Sequence, residues 1–425
     1  MNWLTNLRDN WLTVVTNLLL ALCIITLPAY TDTGKNAFYL LTLLSLYYLF
    51  THLHQLKQLD KVLKFFFAVI VFYFLWTLLT YYINGSPPGR GKGFIWSRQV
   101  FLLFIPSLYL LFRAVKIPFY VIWPSVLLSV ILAAYVGYQD TLVGIGRAKG
   151  GTIHSILFGS ILLCEAFYLL VVAIKSKVLW VKLISLAGFS LATLVVIWSQ
   201  SRGVWAAYPV LLLIVAAMVL KRYRLGVRFV SLGLLLGIVA MSWVHPMVKE
   251  RINTTAKSLD VYLAQDDVNH WSRQTSLGTR LEMWRAGWQI FLENPVFGVG
   301  IGAYDAAAEE GQERFNVNRS AYSHYHPHNQ YISDLSTKGL PGFILLLCLL
   351  AWPVIYAFVR KHVWRDNQLA ATITYVTCLA YAIFGLSDVP LEGKATIVFY
   401  VVFIAWLLSE LDRNRGEERL EVKAE

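Results

Sequence analysis

Residues 62–83 read VLKFFFAVIVFYFLWTLLTYYI, and Lys64 is the only charged side chain among these 22 positions. A helix needs about 20 predominantly apolar residues to cross the roughly 30 Å hydrocarbon core of a bilayer. This stretch is long enough, and the chain contains several others of the same kind. It therefore predicts a transmembrane helix and an integral membrane protein.

The composition of the whole chain agrees with that interpretation. Hydrophobic residues occupy 57% of the 425 positions, more than a soluble protein of this length can hide from water. The apolar runs predict an all-α integral membrane protein with about 12 transmembrane helices. The predicted spans are Trp11–Ala29, Ala37–Leu53, Val62–Ile83, Val100–Ile117, Phe119–Tyr138, Ile153–Ile174, Leu179–Trp198, Val204–Leu220, Val227–Val244, Leu340–Val359, Leu369–Leu386 and Ala395–Leu408.

Basic residues are distributed unevenly between the loops. The chain has 37 Lys and Arg against 25 Asp and Glu, a net charge of +12. Most of these cations lie in alternate loops and in the terminal segments, so the positive-inside rule predicts that both termini are cytoplasmic. No basic face interleaved with aromatic residues occurs, and nucleic acid is therefore not an expected partner.

One connection, residues 245–338, is far longer than an ordinary loop and falls on the predicted periplasmic side. Its pattern predicts helices at Pro246–Ala264 and from Ser276, where Thr279 and Glu282 resemble a capping box. The second helix has a predicted apolar face formed by Leu277, Leu281, Trp284, Trp288 and Phe291.

Four regions follow from this layout. Residues 1–244 hold transmembrane helices 1–9, 245–338 form an ordered periplasmic loop domain, 339–410 hold helices 10–12, and 411–425 are a cytoplasmic tail. Inside the spans, Glu165 is costly to bury as a carboxylate. The sequence leaves open whether it faces a cavity or is protonated.

Two arginines on the predicted external side are candidates for binding an anion. Arg202, in Ser199–Gly203, is either a guanidinium extending to the interface from a helix end or a clamp for phosphate oxygens. Arg280 falls in the predicted first turn of the loop helix, where the helix dipole disfavours a cation. It shares a helix face with Trp284, so charge and apolar contact can meet one amphiphilic ligand.

Other external cations form weaker candidates. Arg147 and Lys149 lie in the glycine-rich stretch Gly144–Gly151, whose backbone suits an anion-binding concavity. Arg90 and Arg98 bound a cationic segment able to steer a charged ligand. Ordinary turn chemistry explains both segments equally well.

Three histidines alternate in the motif that precedes the tenth predicted span: His324, His326 and His328. The pattern is compatible with a metal site, with a pH-sensitive loop, or with a general base. We favour His328 as the base because Pro327 restricts the backbone before it and Asn329 follows it. Asp388 and Glu392, before the last span, are candidates to orient a histidine or arginine.

These residues resemble a known signature. His328-Asn329, nine further residues, and then Gly339-Leu340-Pro341-Gly342 are similar to the pattern H-[NSQ]-x9-G-x-x-G of bacterial O-antigen ligases, with Phe343 where the pattern has Thr or Val. Ser201-Arg202-Gly203, Arg280-x-x-x-Trp284 and Pro295-x-x-Gly298-x-Gly300 also resemble the wider ligase and polymerase superfamily.

The resemblance implies an inverting, metal-independent glycosyltransferase of the bacterial inner membrane, active at the periplasmic face without a cofactor. Its donor would be O-antigen polysaccharide linked to undecaprenyl pyrophosphate, and its acceptor a sugar of lipid A–core, with membrane lipids around both. His328, Arg280 and Arg202 match the family's essential residues. His326, His324, Arg147, Lys149, Arg90, Arg98, Trp284 and Asn329 are expected to bind substrate.

Rival interpretations remain. An O-antigen polymerase or a protein O-oligosaccharyltransferase would use similar residues. A transporter or lipid flippase is less favoured, because internal repeats are absent and the polar residues gather at one face of the membrane instead of its midplane.

Overall fold

The computed structural model describes residues 10–85, 90–143, 146–152, 154–220, 246–264, 267, 269–359 and 368–421. In these ranges every regular element is a helix, which confirms the predicted all-α class. The longer helices are α1 Trp11–Thr26, α2 Thr31–Thr51, α3 Lys61–Ile83, α4 Arg90–Ser97, α5 Ile105–Val115, α6 Phe119–Leu142, α7 Ser155–Lys175, α8 Leu179–Trp198, α9 Arg202–Leu220, α10 Pro246–Leu263, α11 Ser276–Glu293, α12 Tyr304–Glu310, α13 Gln330–Val359, α14 Gln368–Phe384 and α15 Lys394–Glu421.

Several of these helices can cross a membrane. Among the described residues, seven segments are long and apolar enough to do so: Lys61–Ile83, Gly91–Val115, Phe119–Leu142, Ser155–Lys175, Leu179–Trp198, Gln330–Val359 and Lys394–Asp412. Shorter apolar helices accompany them at Trp11–Thr26, Arg202–Met218 and Gln368–Phe384. The predicted span Val227–Val244 lies outside the described residues, and each of the others overlaps a helix. The total of about 12 stays a prediction.

The bundle has two central helices. Within their most apolar windows, 89% of the residues of α7 and 94% of those of Lys394–Asp412 are buried, against 33% for α8. A helix that is apolar all round is stable when it is enclosed by others or by lipid. Therefore α7 and α15 form the inner core, and α8 presents much of its apolar surface outward.

The helix ends assemble into two opposite groups. At one end, Asp412 accepts hydrogen bonds from Tyr109 at 2.8 Å and Tyr356 at 3.3 Å and forms an ion pair with Arg113. At the other end, the chain after α6 contacts two helix termini, through Gly151 N to Pro28 O and Ala148 N to Trp198 O, both 3.0 Å. The candidate residues gather at this second end. Which end faces the periplasm stays a prediction.

The segment from 246 to 338 contains helices and a small core of its own. The buried tyrosine at its centre, Tyr304, donates from its hydroxyl to Met283 O at 2.7 Å and Ala321 O at 3.0 Å. The other buried residues of this core are Ala286, Ile290, Ala308, Phe315 and Val317. The periplasmic placement of this segment stays a prediction.

One local prediction about α11, its capping box, was wrong. The N-cap is Thr275, whose hydroxyl accepts from Gly278 N at 3.1 Å, instead of Thr279. Glu282 is fully buried and binds three groups outside the helix: Arg273 Nη1 at 2.9 Å, Tyr262 OH at 2.7 Å and Asn318 N at 3.0 Å.

The predicted apolar face of α11 is only partly buried. Met283, Ala286 and Ile290 are buried, whereas Trp288 is exposed. The reason is that α11 packs on two sides. Met283, Ala286 and Ile290 pack into the small core around Tyr304, and another side of the helix contacts α13. Gly287 touches α13, since an added Cβ there would lie 2.4 Å from Ile332 Cγ2.

α13 is interrupted at Gly339, whose φ of +67° and ψ of −171° are not helical. The loop after α11 fits into this break: Val299 N donates to Ser336 O at 2.9 Å, and Leu340 N donates to Pro295 O at 2.8 Å. An added Cβ at Gly339 would lie 2.1 Å from Val296 O. The two glycine motifs of the sequence therefore meet in space and fix the angle at which α13 leaves the site.

Candidate active site

The centre of the site is a histidine paired with a carboxylate. His328 precedes α13 and has a φ of +47°, a strained conformation for a residue with a side chain. Its Nδ1 lies 3.2 Å from Asp388 Oδ1, on the loop that joins α14 to α15, called here the 385–393 loop. Because a carboxylate only accepts, Nδ1 carries the proton and donates it, which leaves the Nε2 lone pair free.

The pKa of Asp388 supports that assignment. Burial alone would raise its pKa, but the hydrogen bond and charge of His328, together with His326 and the Val389 N–H, lower the pKa overall to about 2. Asp388 is thus ionised at neutral pH and holds the His328 ring in one tautomer, as the orienting acid of a catalytic triad does.

His326 is fixed in the complementary way. His328 N donates to His326 Nδ1 at 3.1 Å, so the neutral ring must carry its proton on Nε2. Burial, with the charge of His328 next in size, lowers the pKa of His326 to about 3. The rings of His326 and His328 have centroids 4.4 Å apart. His326 is therefore a neutral hydrogen-bond donor beside the free base.

Arg280 and His324 complete this side of the site. Burial lowers the pKa of the Arg280 guanidinium, and the negative charge of Asp388 opposes that effect. The pKa of His324 is lowered by burial and then by the charges of His328, His154 and Arg280. In the described part of the chain, no hydrogen bond engages the Arg280 guanidinium, so it is available to an anion.

Arg202 approaches the same loop from α9. It begins that helix, and its Nη1 donates to Thr255 Oγ1 of α10. The next residue, Gly203, packs so closely on the loop that an added Cβ would lie 1.8 Å from Ser387 Oγ. Arg202 therefore precedes a residue that contacts Ser387, and Ser387 directly precedes Asp388. His328 and Gly203, the neighbour of Arg202, therefore both contact the 385–393 loop.

Arg147 and Lys149 contact the protein instead of an open concavity. Arg147 donates to Ser199 O at 3.1 Å and Gln200 O at 3.3 Å, the carbonyls that follow α8. The backbone N–H of Lys149 donates to Asp140 Oδ2 at 2.8 Å. Arg147 therefore supports the turn that carries Arg202, and its direct binding of substrate stays a prediction.

Arg98 lies near the histidines, and Arg90 begins α4 with its side chain outside the described atoms. The Arg98 guanidinium carbon lies 4.0 Å above the centre of the Phe94 ring. Its charge contributes to lowering the pKa of His326. One residue of the predicted cationic segment, Arg98, therefore acts electrostatically on the histidine motif.

Trp284 and Asn329 hold the histidine motif in place. Trp284 Nε1 donates to Pro327 O at 3.0 Å, which joins α11 to the residue before His328. Asn329 Oδ1 accepts from Tyr331 N at 3.0 Å and Ile332 N at 3.1 Å and so caps α13. Its Nδ2 donates to Leu386 O at 3.3 Å.

A metal ion would find three ligands here. Ligand atoms of His326, His328 and Asp388 lie within 4.8 Å of one another. The hydrogen bonds oppose coordination, however, because His326 Nδ1 accepts from the backbone and its Nε2 carries a proton. The arrangement suits proton transfer better than metal binding.

The sequence singled out most of these residues but offered Asp388 only as a candidate partner, and it overlooked His154. Its signal for Asp388 was an acidic residue in a short loop between two apolar spans. His154 directly precedes α7 and had no motif around it.

The O-antigen ligase family model matches residues 187–347, which include Arg202, Arg280 and His328. An uncharacterized protein of Haemophilus influenzae is 26% identical over 408 residues, covering 93% of this chain and 98% of its own length. The O-antigen ligase of Escherichia coli K12 is 25% identical over 302 residues, 68% of this chain and 65% of that protein. A Rickettsia conorii protein named as a polysaccharide ligase is 24% identical over 170 residues, 40% of this chain and 38% of that protein.

The fold is that of a multi-pass membrane protein in which His328 is paired with Asp388 at one end of the helix bundle. The family model and the two relatives that carry a ligase name confirm the resemblance to the O-antigen ligase superfamily. These matches support a ligase-type activity on polysaccharide and lipid-linked substrates in general.

Proposed function

We propose that this protein is an O-antigen ligase. It transfers polysaccharide from undecaprenyl pyrophosphate to a sugar of lipid A–core at the periplasmic face of the bacterial inner membrane. The observation that carries the proposal is the His328–Asp388 pair, with Gly203, the neighbour of Arg202, packed against the same loop. The negative charge of Asp388 also acts on the Arg280 guanidinium, so the site combines a base with positive charge.

The chemistry follows from the hydrogen bonds. His328 Nε2 takes the proton from an acceptor hydroxyl, while Asp388 stabilises the imidazolium that forms. The acceptor oxygen forms a bond to the anomeric carbon as the bond from that carbon to the phosphate oxygen breaks. Attack from the face opposite the departing group inverts the anomeric configuration.

The leaving group is undecaprenyl pyrophosphate, which gains negative charge as the bond breaks. Arg280 and Arg202 stabilise that charge with fixed guanidinium donors, the largest kind of catalytic contribution in many enzymes. Neutral His326 offers a further Nε2–H donor to a substrate oxygen. No nucleotide is required, because the donor sugar is already activated.

The deciding experiment is reconstitution of the purified protein with lipid-linked polysaccharide and lipid A–core. The expected product is polysaccharide joined to the core sugar, detected as a ladder on a gel. His328→Ala should abolish the ladder while the protein still inserts, and exposed His54→Ala is the control. Elongated donor without joined core would indicate a polymerase, and a normal ladder from His328→Ala would reject the base.

A further inference from the structure

Gln330, the first residue of α13, forms hydrogen bonds to the 385–393 loop. Its backbone N–H lies 2.8 Å from Gly385 O and 3.1 Å from Asp388 O. Its side-chain Oε1 accepts from Leu391 N at 3.2 Å. One residue that is only 1% exposed therefore binds the loop at three places, on both sides of the Asp388 side chain.

The side-chain amide of Gln330 also forms a hydrogen bond within α13. Its Nε2 donates to Asp334 Oδ1 at 3.0 Å. Because Asp334 Oδ1 also accepts from Lys338 Nζ and the Leu391 N–H only donates, the two partners fix which end of the Gln330 amide faces each of them. The amide cannot flip without losing both bonds.

Asp334 is anchored in turn by two fully buried groups. Lys338 Nζ lies 2.8 Å from Asp334 Oδ1, and Tyr73 OH donates to Asp334 Oδ2 at 2.8 Å. Lys338 Nζ also donates to Tyr73 OH at 2.7 Å, which closes a ring of three side chains. The ring spans α3 and the first half of α13.

A buried ion pair of this kind adds little to folding stability, because removing two charges from water costs about as much as their attraction returns. What the ring does supply is a single orientation for every donor and acceptor in it. The ring thereby fixes the orientation of the Gln330 amide. The amide in turn fixes the loop that carries the Asp388 carboxylate.

We propose that Gln330 is a positioning residue for glycan transfer and acts through Asp388, with the Asp334–Lys338–Tyr73 ring as its anchor. This inference rests on the proposed function, in which His328 is the base. Gln330 touches no substrate. It keeps Asp388 Oδ1 at hydrogen-bond distance from His328 Nδ1, and a small displacement of an orienting group is costly to rate.

The test uses Gln330→Met, which keeps the side-chain length and removes both amide bonds. The expected result in the reconstituted assay is a kcat about 10- to 100-fold lower, with KM for the donor within about twofold. The matched control is Gln368→Met. Gln368 accepts from Lys175 at 2.6 Å at the opposite end of the bundle, and its loss should leave kcat unchanged.

The double variant with Asp388→Asn separates positioning from general support of the fold. If Gln330 acts through Asp388, adding Gln330→Met to Asp388→Asn should slow transfer no further. Losses that multiply, or a Gln330→Met enzyme with normal kcat, would overturn the inference. If Gln330→Met does not accumulate, Gln330→Asn gives a second comparison, since it keeps a neutral amide that is too short to bond both Leu391 N and Asp334.

The two proposals fail in different ways. Loss of transfer in His328→Ala and Asp388→Asn, with normal transfer in Gln330→Met, removes only the positioning role. Normal transfer in His328→Ala removes the base and, with it, the role of Asp388 on which Gln330 depends.

Discussion

At the scale of single residues, the two arginines of the site, Arg202 and Arg280, have different surroundings. Arg202 is already bonded to Thr255, whereas Arg280 has no hydrogen bond among the described residues. A guanidinium that is partly buried and unengaged loses solvation without a compensating partner. A phosphate would supply that partner, so Arg280 is the side chain expected to contribute more to donor affinity.

Replacing Arg280 should therefore weaken donor binding. A hydrogen bond to a charged group contributes about 1.5–3 kcal/mol, so Arg280→Ala should raise the Kd for lipid pyrophosphate by about 10- to 100-fold. Binding of labelled donor in detergent measures the change. Arg285→Ala, on the same helix, is the control and should stay within about threefold. Unchanged affinity in Arg280→Ala would remove its assigned role.

The two perturbed acid–base groups predict how stability depends on pH. The pKa of His326 is about 3 in the folded protein against an ordinary 6.5, so the unfolded chain takes up its proton first. Stability is then lost as pH falls below 6.5. The pKa of Asp388, about 2 against 3.8, adds a second loss as pH falls from about 4 towards 2.

At pH 5 the His326 effect should reach about 2 kcal/mol, from 1.5 pH units at 1.36 kcal/mol each. Thermal unfolding in detergent at pH 7.5 and pH 5 measures it. His326→Gln should show a smaller fall in Tm between these pH values than the unmodified protein does. An equal fall in both would mean that His326 is not held neutral. The groups that face His326 are His324, His328, Asp388 and Arg98.

At the scale of elements, the site depends on a helix break. α13 stops at Gly339 so that the loop 295–300 can bind its free carbonyls, and Trp76 Nε1 donates to Lys338 O at 2.7 Å. The halves on either side have different functions. The first half carries Gln330, Asp334 and Lys338, and the second is apolar and crosses the membrane.

Substitution at the break should disrupt the fold. In Gly339→Ala the new Cβ would lie 2.1 Å from Val296 O at a φ of +67°, so both a backbone clash and strain oppose it. We expect a loss of several kcal/mol and little folded protein on size-exclusion chromatography. Gly93→Ala is the matched control, because nothing lies within 4 Å of its Cβ position. Equal yields from both variants would contradict the role of the break.

At the scale of the whole molecule, the histidine motif, the loop helix α11 and the last helix pair meet at one end of the bundle. Trp284 binds Pro327, and Asn329 binds Leu386, so three distant parts of the chain hold one another.

Transfer should continue when metal is removed. Because His326 Nδ1 is bonded to the backbone, the histidine cluster is arranged for proton transfer, and the rate in excess EDTA should stay within about twofold of the untreated rate. The reconstituted assay measures this directly, with EDTA-treated buffer as the only change. Loss of activity that added divalent metal restores would make the trio of His326, His328 and Asp388 a metal site.

The sequence alone determined which segments of the chain form helices. Runs of about 20 apolar residues predict helices wherever the chain must satisfy its backbone inside a bilayer, and those predictions overlap helices throughout the described ranges. The motif around His328 and Gly339 also singled out residues that the structure places at the site, and the role of His328 as a base stays a prediction. The cap of α11 was predicted about one turn too late, at Thr279 instead of Thr275.

Only the tertiary structure decided the partners. His328 and Asp388 are 60 residues apart, and Tyr73 and Asp334 are 261 apart, so no local pattern connects them. Hydropathy reports the average environment of a segment, whereas a hydrogen bond depends on ångström-level placement of two atoms. Packing of α3, α13 and the 385–393 loop sets those distances, and with them the tautomer that leaves His328 Nε2 free.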